Sequence, residues 1–408
     1  MGGPDLPIGG PDLPTGRPDL PTGRRSHTTA LRSWRLVIAF VRESEETMVL
    51  SPEYRTLPSL WRLYEATPRR LAFGARTVEE WAAWHEQLSA KLVELLGGFP
   101  SPAEHPPLNP VTLETGDTED YRIEKVAFQG EEDVWTPCYV LTPRQVSPPY
   151  RPVIALHGHG MGGAAHLIGR IVDENLAEEE AAHIAQHRYD YAAQLARHGY
   201  MVFAPEQRGL GERIETWPGM VTMDDGDPLW QKSCRGIAFN AMLLGKTVIG
   251  LRVLDVMRTI DYIAQRPEPV VAGLGCLGLS GGGTTTLFAA ALDSRITVAV
   301  VSGYLSSFRE SIMAIRHCEC NYIPGILNYA EMSDIAGLIA PRPLLVESGT
   351  QDPIFPVSAS RKAYAEVSRI YELLGADDRL KADVFEGAHR FSGRKAFDWL
   401  DRWLPAAR

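Results

Sequence analysis

Gly278, Leu279, Ser280, Gly281 and Gly282 spell G-x-S-x-G where the apolar run GCLGLS gives way to a helical stretch. A serine on so sharp a strand-to-helix turn is lifted above the sheet, and the glycines beside it avoid Cβ clashes with neighbouring backbone. The helix N-terminus also favours the negative charge that develops there. A glycine-rich turn that happens to contain serine has the same composition, so the partners must decide. Asp352 follows the run PLLVESG and His389 follows the run ADVFEG, which gives the chain order serine, acid, histidine. Together they suit nucleophilic acyl transfer: His389 as base, Ser280 as nucleophile and Asp352 as the group that orients the imidazole. Such chemistry also needs donors for the oxygen that turns negative. The glycine-rich LHGHGMGG, residues 156–163, supplies one in the main-chain N–H of His159, and Gly281 supplies the other.

Other residues invite both a functional and a plain reading. In EQRGLGER, Glu206 and Arg208 stand near a strand end with Glu212 and Arg213; a structural ion-pair network is the first reading and substrate contact the second. Two long insertions, 206–239 and 304–340, have the length of lids or binding loops, and their Trp217, Trp230 and Tyr322 are candidate pocket walls. Aromatics in such segments also serve to pack them onto the body. His317, Cys318 and Cys320 are close in sequence, but no second pair stands at zinc-finger spacing, so loop packing and no metal are expected.

The elements that must position these residues are legible as alternating patterns. YRIEKVAFQ and VWTPCYVLTP, joined by GEED, read as an antiparallel pair. Short apolar runs (VIALHG, YMVFAPE, GCLGLS, VAVVSG, PLLVESG, ADVFEG) then alternate with helical stretches near 187–198, 240–264, from 282, near 360–374 and up to Trp403. That pattern predicts an α/β fold, a mostly parallel sheet buried by helices on both faces, with chemistry at the strand carboxyl ends. Upstream, Thr77 and Glu80 form a capping box before a helix whose Trp81, Trp84, Leu88, Leu92 and Leu95 share one face, a core stripe. Residues 48–118 are expected to be a mainly helical extension and residues 119–408 the catalytic domain. Residues 2–24 repeat a Gly/Pro-rich heptad with one leucine per unit, so residues 1–47 are expected to be a disordered tail and Met48 the natural start.

The chain of 408 residues is long enough for a large core, and no apolar run approaches the roughly 18–20 residues of a membrane span. A formal net charge of -10 offers no general attraction to phosphate backbones or anionic lipid, so neither nucleic acid nor membrane is an expected partner. Five cysteines are an odd count for a disulfide framework and suit a reducing, cytoplasmic setting.

With the serine turn, the two strand-end partners and LHGHGMGG in place, the chain from about residue 120 resembles the α/β-hydrolase superfamily. ALHGHGMGG, APEQRGLGER, CLGLSGGG, CNYIPG and LIAPRPLLVESGTQDPIFP make it most similar to bacterial esterases grouped with dienelactone hydrolases and acetyl xylan esterases. The resemblance implies an α/β-hydrolase fold with an N-terminal helical extension and lid-like insertions, and cofactor-free hydrolysis of a small-molecule or carbohydrate ester through an acyl-enzyme. Dienelactone hydrolases proper use a cysteine where this chain has Ser280, which counts against lactone chemistry of that kind. A serine peptidase or amidase using the same triad, and a non-catalytic binding protein on the same scaffold, are the alternatives.

Overall fold

The computed structural model describes residues 54–160, 162–216, 226–269 and 273–404. The tail 1–47, Met48 and Trp217 lie outside the described residues. Among the described residues nine strands make one sheet: β1 (Val111–Asp117), β2 (Tyr121–Glu131), β3 (Val134–Pro143), β4 (Arg151–Leu156), β5 (Tyr200–Pro205), β6 (Gly275–Leu279), β7 (Val298–Ser302), β8 (Leu344–Gly349) and β9 (Leu380–Phe385). Their order across the sheet is β1-β2-β3-β5-β4-β6-β7-β8-β9. β1 to β3 and the β3–β5 pairing are antiparallel, and every pairing from β5 to β9 is parallel.

β5, β6, β7 and β8 are buried at every residue, as expected of near-continuous apolar strands covered on both sides. Alternate residues feed two cores. Ile154, Leu156, Ala299 and Val301 join one with Leu88, Leu92, Val253 and Phe288; Val153, Ala155, Val298 and Val300 join the other with Tyr191, Leu195, Trp399 and Leu400. β4 is central to function because the chain passes from it to β5 on one side and later to β6 on the other. That reversal of strand order opens a crevice at the carboxyl ends of β4 and β6, where ligands bind in open α/β sheets.

One feature of the layout differs from the sequence pattern. The sheet begins before residue 119: β1 pairs antiparallel with β2 although six of its seven residues are exposed. A polar edge strand carries no alternating apolar signal, so the sequence pattern passes over it. The helix Val78–Leu95 buries Trp84, Leu88 and Leu92 in the main core, as the stripe predicts. Its start is as read, with Thr77 accepting from the N–H of Glu80 at 3.2 Å, while the Glu80 carboxylate reaches one residue further back to the N–H of Arg76.

The stretch near 187–198 divides into Ala177–His187 and Tyr191–Arg197, separated at Arg188, whose φ of 51° stops the first helix. The stretch near 240–264 likewise divides into Leu229–Leu243 and Val248–Gln265, with Gly245 at φ 68° between them and Thr247 capping the second. Among the described residues no single helix is long and apolar enough to cross a membrane. The insertion 304–340 is closely packed, and its Tyr304, Leu305, Phe308, Ile312, Ile323 and Ile326 are part of the main core.

Candidate active site

Ser280 sits at φ 59° and ψ -118°, between the end of β6 and the helix Gly281–Leu292. A non-glycine residue there is strained by about 1–3 kcal/mol, and the surroundings enforce it. The N–H of Ser280 donates to the carbonyl of Ser302 at 3.0 Å, and its carbonyl accepts from the N–H of Thr284 at 2.8 Å. Gly282 has no room for a side chain: a Cβ would fall 1.8 Å from the Leu156 carbonyl oxygen. Gly278 is as tightly enclosed, with a Cβ 2.4 Å from the Gly282 carbonyl. These glycines let β4 and the helix close on the turn and push the serine outward.

His389 Nδ1 donates to Asp352 Oδ2 at 2.7 Å. The other carboxylate oxygen of Asp352 accepts from the N–H groups of Ile354 and Phe355, at 2.8 and 3.0 Å, so the carboxylate is fixed from both sides. Phe355 stacks on the imidazole at 5.7 Å between centroids. Nε2 of His389 is buried with no hydrogen-bond partner among the described residues. With the proton held on Nδ1, that nitrogen carries the basic lone pair. A Cβ at Gly303 would lie 3.1 Å from both His389 Cε1 and Leu279 Cδ1, so glycine at 303 lets the imidazole approach the Ser280 turn.

The loop after β4 crosses in front of this turn. A Cβ at Gly158 would lie 3.2 Å from the Cβ of Ser280, and one at Gly281 would lie 2.9 Å from the His159 ring. The main-chain N–H groups of His159 and Gly281 have no hydrogen-bond acceptor among the described residues. Gly281 opens its helix, where the first N–H groups are unpaired by construction. Both expected oxyanion donors thus stand uncommitted on either side of Ser280. Beside them a cleft of about 340 Å³ is lined by His159, Gly160, His166, Glu180, His183 and Tyr189 among others. Burial, reinforced by His187 and His166, pushes His183 down to about 4, so it is uncharged near neutrality.

The tentative substrate contacts divide. Arg208 binds Asp255 through two nitrogens, both at 2.9 Å, and also Glu131, while Arg213 reaches Asp255 at 2.6 Å. Its charge is committed to the ion-pair network, which corrects the substrate-contact reading. Glu206 is 1% exposed; its Oε1 accepts from the N–H of Ala164 and its Oε2 packs against Gly163 and Gly211. It braces the loop rather than facing a ligand. The His157 Nε2 to Glu206 Oε2 separation of 3.2 Å looks like an ion pair. Yet Nε2 accepts from the N–H of Gln207 at 2.9 Å and Nδ1 faces the Gly158 carbonyl at 2.8 Å, so His157 serves the packing of the strand end. Trp230 lies 5.5 Å from the His159 ring, next to the site. Tyr322 is 41% exposed, with its hydroxyl on the Ile312 carbonyl.

Several supporting residues escape a sequence reading. Gln207 joins the N–H contact above to a 2.5 Å bond from Thr285 Oγ1, tying the β4 loop to the helix that follows Ser280. Tyr189 accepts from the N–H of Gly158 at 2.5 Å, and Tyr191 donates to the Leu156 carbonyl at 2.6 Å. Glu347 on β8 accepts from the N–H groups of Ser392 and Gly393, fixing the chain just beyond His389. Burial pushes Glu347 up to about 7. The polar residues at buried strand ends, Glu347 within β8 and Gln207 two residues after β5, are the signal that could mark them. Most unexpectedly, Cys318 and Cys320 are joined by Cys234 and His159, whose ligand atoms and theirs all lie within 4.8 Å of one another. His317 faces away, toward Asn321 and Phe355.

A doubly covered, mostly parallel sheet with a strained serine turn at its switch point and an aspartate–histidine pair after the last two strands defines an α/β-hydrolase. The chain belongs to the Abhydrolase family, whose sequence profile, Abhydrolase_7, matches residues 62–394. It is 26% identical over 326 residues to the protein named "Putative hydrolase YtaP" of Bacillus subtilis, covering 77% of this chain and 98% of that one. Among solved structures it is similar to a "putative acetyl xylan esterase" from Bacteroides fragilis, with a TM-score of 0.66 and 18% identity, over 82% of this chain and 84% of that one. A glucuronoyl esterase from Solibacter usitatus matches with a TM-score of 0.59 and 15% identity, over 83% and 97% of the two chains.

Proposed function

We propose that the protein hydrolyses carboxylic esters through an acyl-enzyme on Ser280. The observation that carries this reading is the His389–Asp352 pair: Nδ1 is held at 2.7 Å by the carboxylate, and Nε2 is left unpartnered beside the Ser280 turn. His389 Nε2 takes the Ser280 proton as Oγ bonds to the ester carbonyl carbon. The oxygen, now negative, is held by the N–H groups of His159 and Gly281. Asp352 stabilises the imidazolium, which returns the proton to the leaving alcohol as the C–O bond breaks. Water, activated by the same imidazole, then releases the acid and frees Ser280.

The substrate class we infer is a small or carbohydrate-borne ester. It draws on the acetyl xylan and glucuronoyl esterase names of the structural neighbours and on a site open beside a cleft of about 340 Å³. The test is hydrolysis of p-nitrophenyl acetate, acetylated xylose and the matching anilide by the wild type and Ser280→Ala. Ester turnover that disappears in the variant is the expected result. Unchanged turnover would end the assignment of Ser280, and anilide cleavage as fast as ester cleavage would redirect the reading to a peptidase or amidase.

A further inference from the structure

Cys234 lies on the helix Leu229–Leu243, Cys318 and Cys320 lie in the 304–340 insertion, and His159 lies in the loop after β4. Their side chains converge although His159 and Cys320 are 161 residues apart. His159 Nε2 is 3.1 Å from Cys320 Sγ, Cys318 Sγ is 3.2 Å from Cys234 Sγ, and Cys320 Sγ is 3.4 Å from Cys318 Sγ. These separations are far longer than a disulfide bond of about 2.05 Å. They are about 0.4–0.6 Å shorter than the edges of a zinc tetrahedron, which bond lengths of about 2.3 Å to sulfur and 2.0 Å to nitrogen put at about 3.8 and 3.5 Å, so small side-chain rotations open the cluster to metal-binding size. We propose that these four side chains bind one divalent, thiophilic metal ion of the zinc class, in a closed three-cysteine, one-histidine site.

A second observation points the same way. Arg252 is 1% exposed, and its guanidinium touches the Arg208 carbonyl at 3.1 and 2.8 Å and Cys234 Sγ at 3.6 Å. Among the described residues no carboxylate pairs with it. A buried cation requires compensating charge. Three thiolates around a divalent ion carry a net charge of minus one, which matches a single guanidinium; three neutral thiols would leave Arg252 uncompensated. Metal binding displaces one proton from each thiol, and the imidazole coordinates through the neutral Nε2 lone pair. Four protein ligands leave no open position, so the ion is structural: it staples the helix, the insertion and the β4 loop together. Where the reading of His159 as an oxyanion donor holds, the ion also fixes that donor from behind, but metal binding itself does not depend on that reading.

The test is metal content of the full chain purified under reducing conditions and dialysed against zinc, followed by cobalt(II) substitution. About one zinc per chain is expected, together with thiolate-to-cobalt charge transfer and tetrahedral d–d bands. Cys318→Ala and Cys234→Ala should each cut bound zinc at least about tenfold, while Cys276→Ala, whose thiol faces Thr286 elsewhere in the core, should retain it. Zinc content unchanged by Cys318→Ala, or a reduced wild type that takes up neither zinc nor cobalt, overturns the site. If a variant does not fold, thiol alkylation of the wild type with and without zinc decides: protection of Cys234, Cys318 and Cys320 by zinc is required. Ester turnover does not enter these readouts, so failure of the metal site and failure of the esterase reading are told apart.

Discussion

Replacing Asp352 with asparagine turns Oδ2 from acceptor to donor and removes the carboxylate charge while leaving the shape of the side chain almost unchanged. Asp352 Oδ1 accepts from two main-chain N–H groups, at 2.8 and 3.0 Å, so the amide oxygen must take that side. The amide nitrogen then stands where Oδ2 was, 2.7 Å from His389 Nδ1. It is a donor, so Nδ1 must become the acceptor and the imidazole proton moves to Nε2. In that tautomer the nitrogen meant to take the Ser280 proton has no lone pair. The reversed amide would set NH₂ against two buried N–H groups, at about 1–3 kcal/mol for each one left unsatisfied, so it offers no escape. The imidazolium also loses its counter-charge. Together these predict a fall in kcat of about 10⁴-fold, or about 5.5 kcal/mol of transition-state stabilisation. KM should hold within about threefold, because the groups that would bind the ester are untouched. Steady-state hydrolysis of p-nitrophenyl acetate gives both constants, and a thermal melt confirms the fold. A loss smaller than about tenfold, or one confined to KM, would refute the role of the pair.

Ser280→Gly should abolish ester hydrolysis yet raise stability in urea by about 1 kcal/mol, because glycine relieves the strain at φ 59° and gives back part of it as chain entropy; a destabilised variant would remove the strain argument. Gly282→Ala should cost about 4 kcal/mol or more, or prevent folding, since its Cβ would overlap the Leu156 carbonyl at 1.8 Å; a melting temperature within a few degrees of wild type would contradict the close approach of β4. Glu347, raised by burial to about 7, binds its proton more tightly folded than unfolded, so its contribution to stability is complete below about 4.5 and is lost as pH rises through 7. His183 and His317, both pushed down to about 4 mainly by burial, have the opposite slope, so the measurement is the difference between wild type and Glu347→Gln. Between pH 5 and 8 that difference should move by up to about 3 kcal/mol in favour of the variant, and a pH-independent difference would exclude a neutral Glu347.

The residues of the proposed triad were legible because each follows a run that reads as a buried strand. GCLGLS, PLLVESG and ADVFEG deliver Ser280, Asp352 and His389 to one edge of a parallel sheet, and the structure has those runs as β6, β8 and β9. β1 was not legible, since its side chains face water and have no apolar period. The same limit hid the cysteine cluster. Finger spacing detects ligands brought together by a local turn, whereas Cys234 and Cys318 meet across 84 residues through the packing of a helix on an insertion. Arg208 shows the converse: its pairing within a network was the plainer reading, and the partner that decides it, Asp255, lies on a helix far along the chain.

The loop after β4 shows why a site at this switch point needs more than three residues. Under the proposed mechanism its main chain holds an N–H toward an oxygen that becomes negative only transiently, and donors stabilise such charge best when they need not reorganise. Tyr189 takes the N–H of Gly158, Tyr191 takes the Leu156 carbonyl, Gln207 spans from His157 to Thr285, and Glu206 holds Ala164. These tethers come from two segments, 189–191 and 206–207, and among the described residues none of them takes the N–H of His159. All four are buried, where an unmade hydrogen bond is costly, so slackening any one of them carries a penalty of about 1–3 kcal/mol. The loop is therefore set in place by folding, which is what the oxyanion role proposed for the His159 N–H requires.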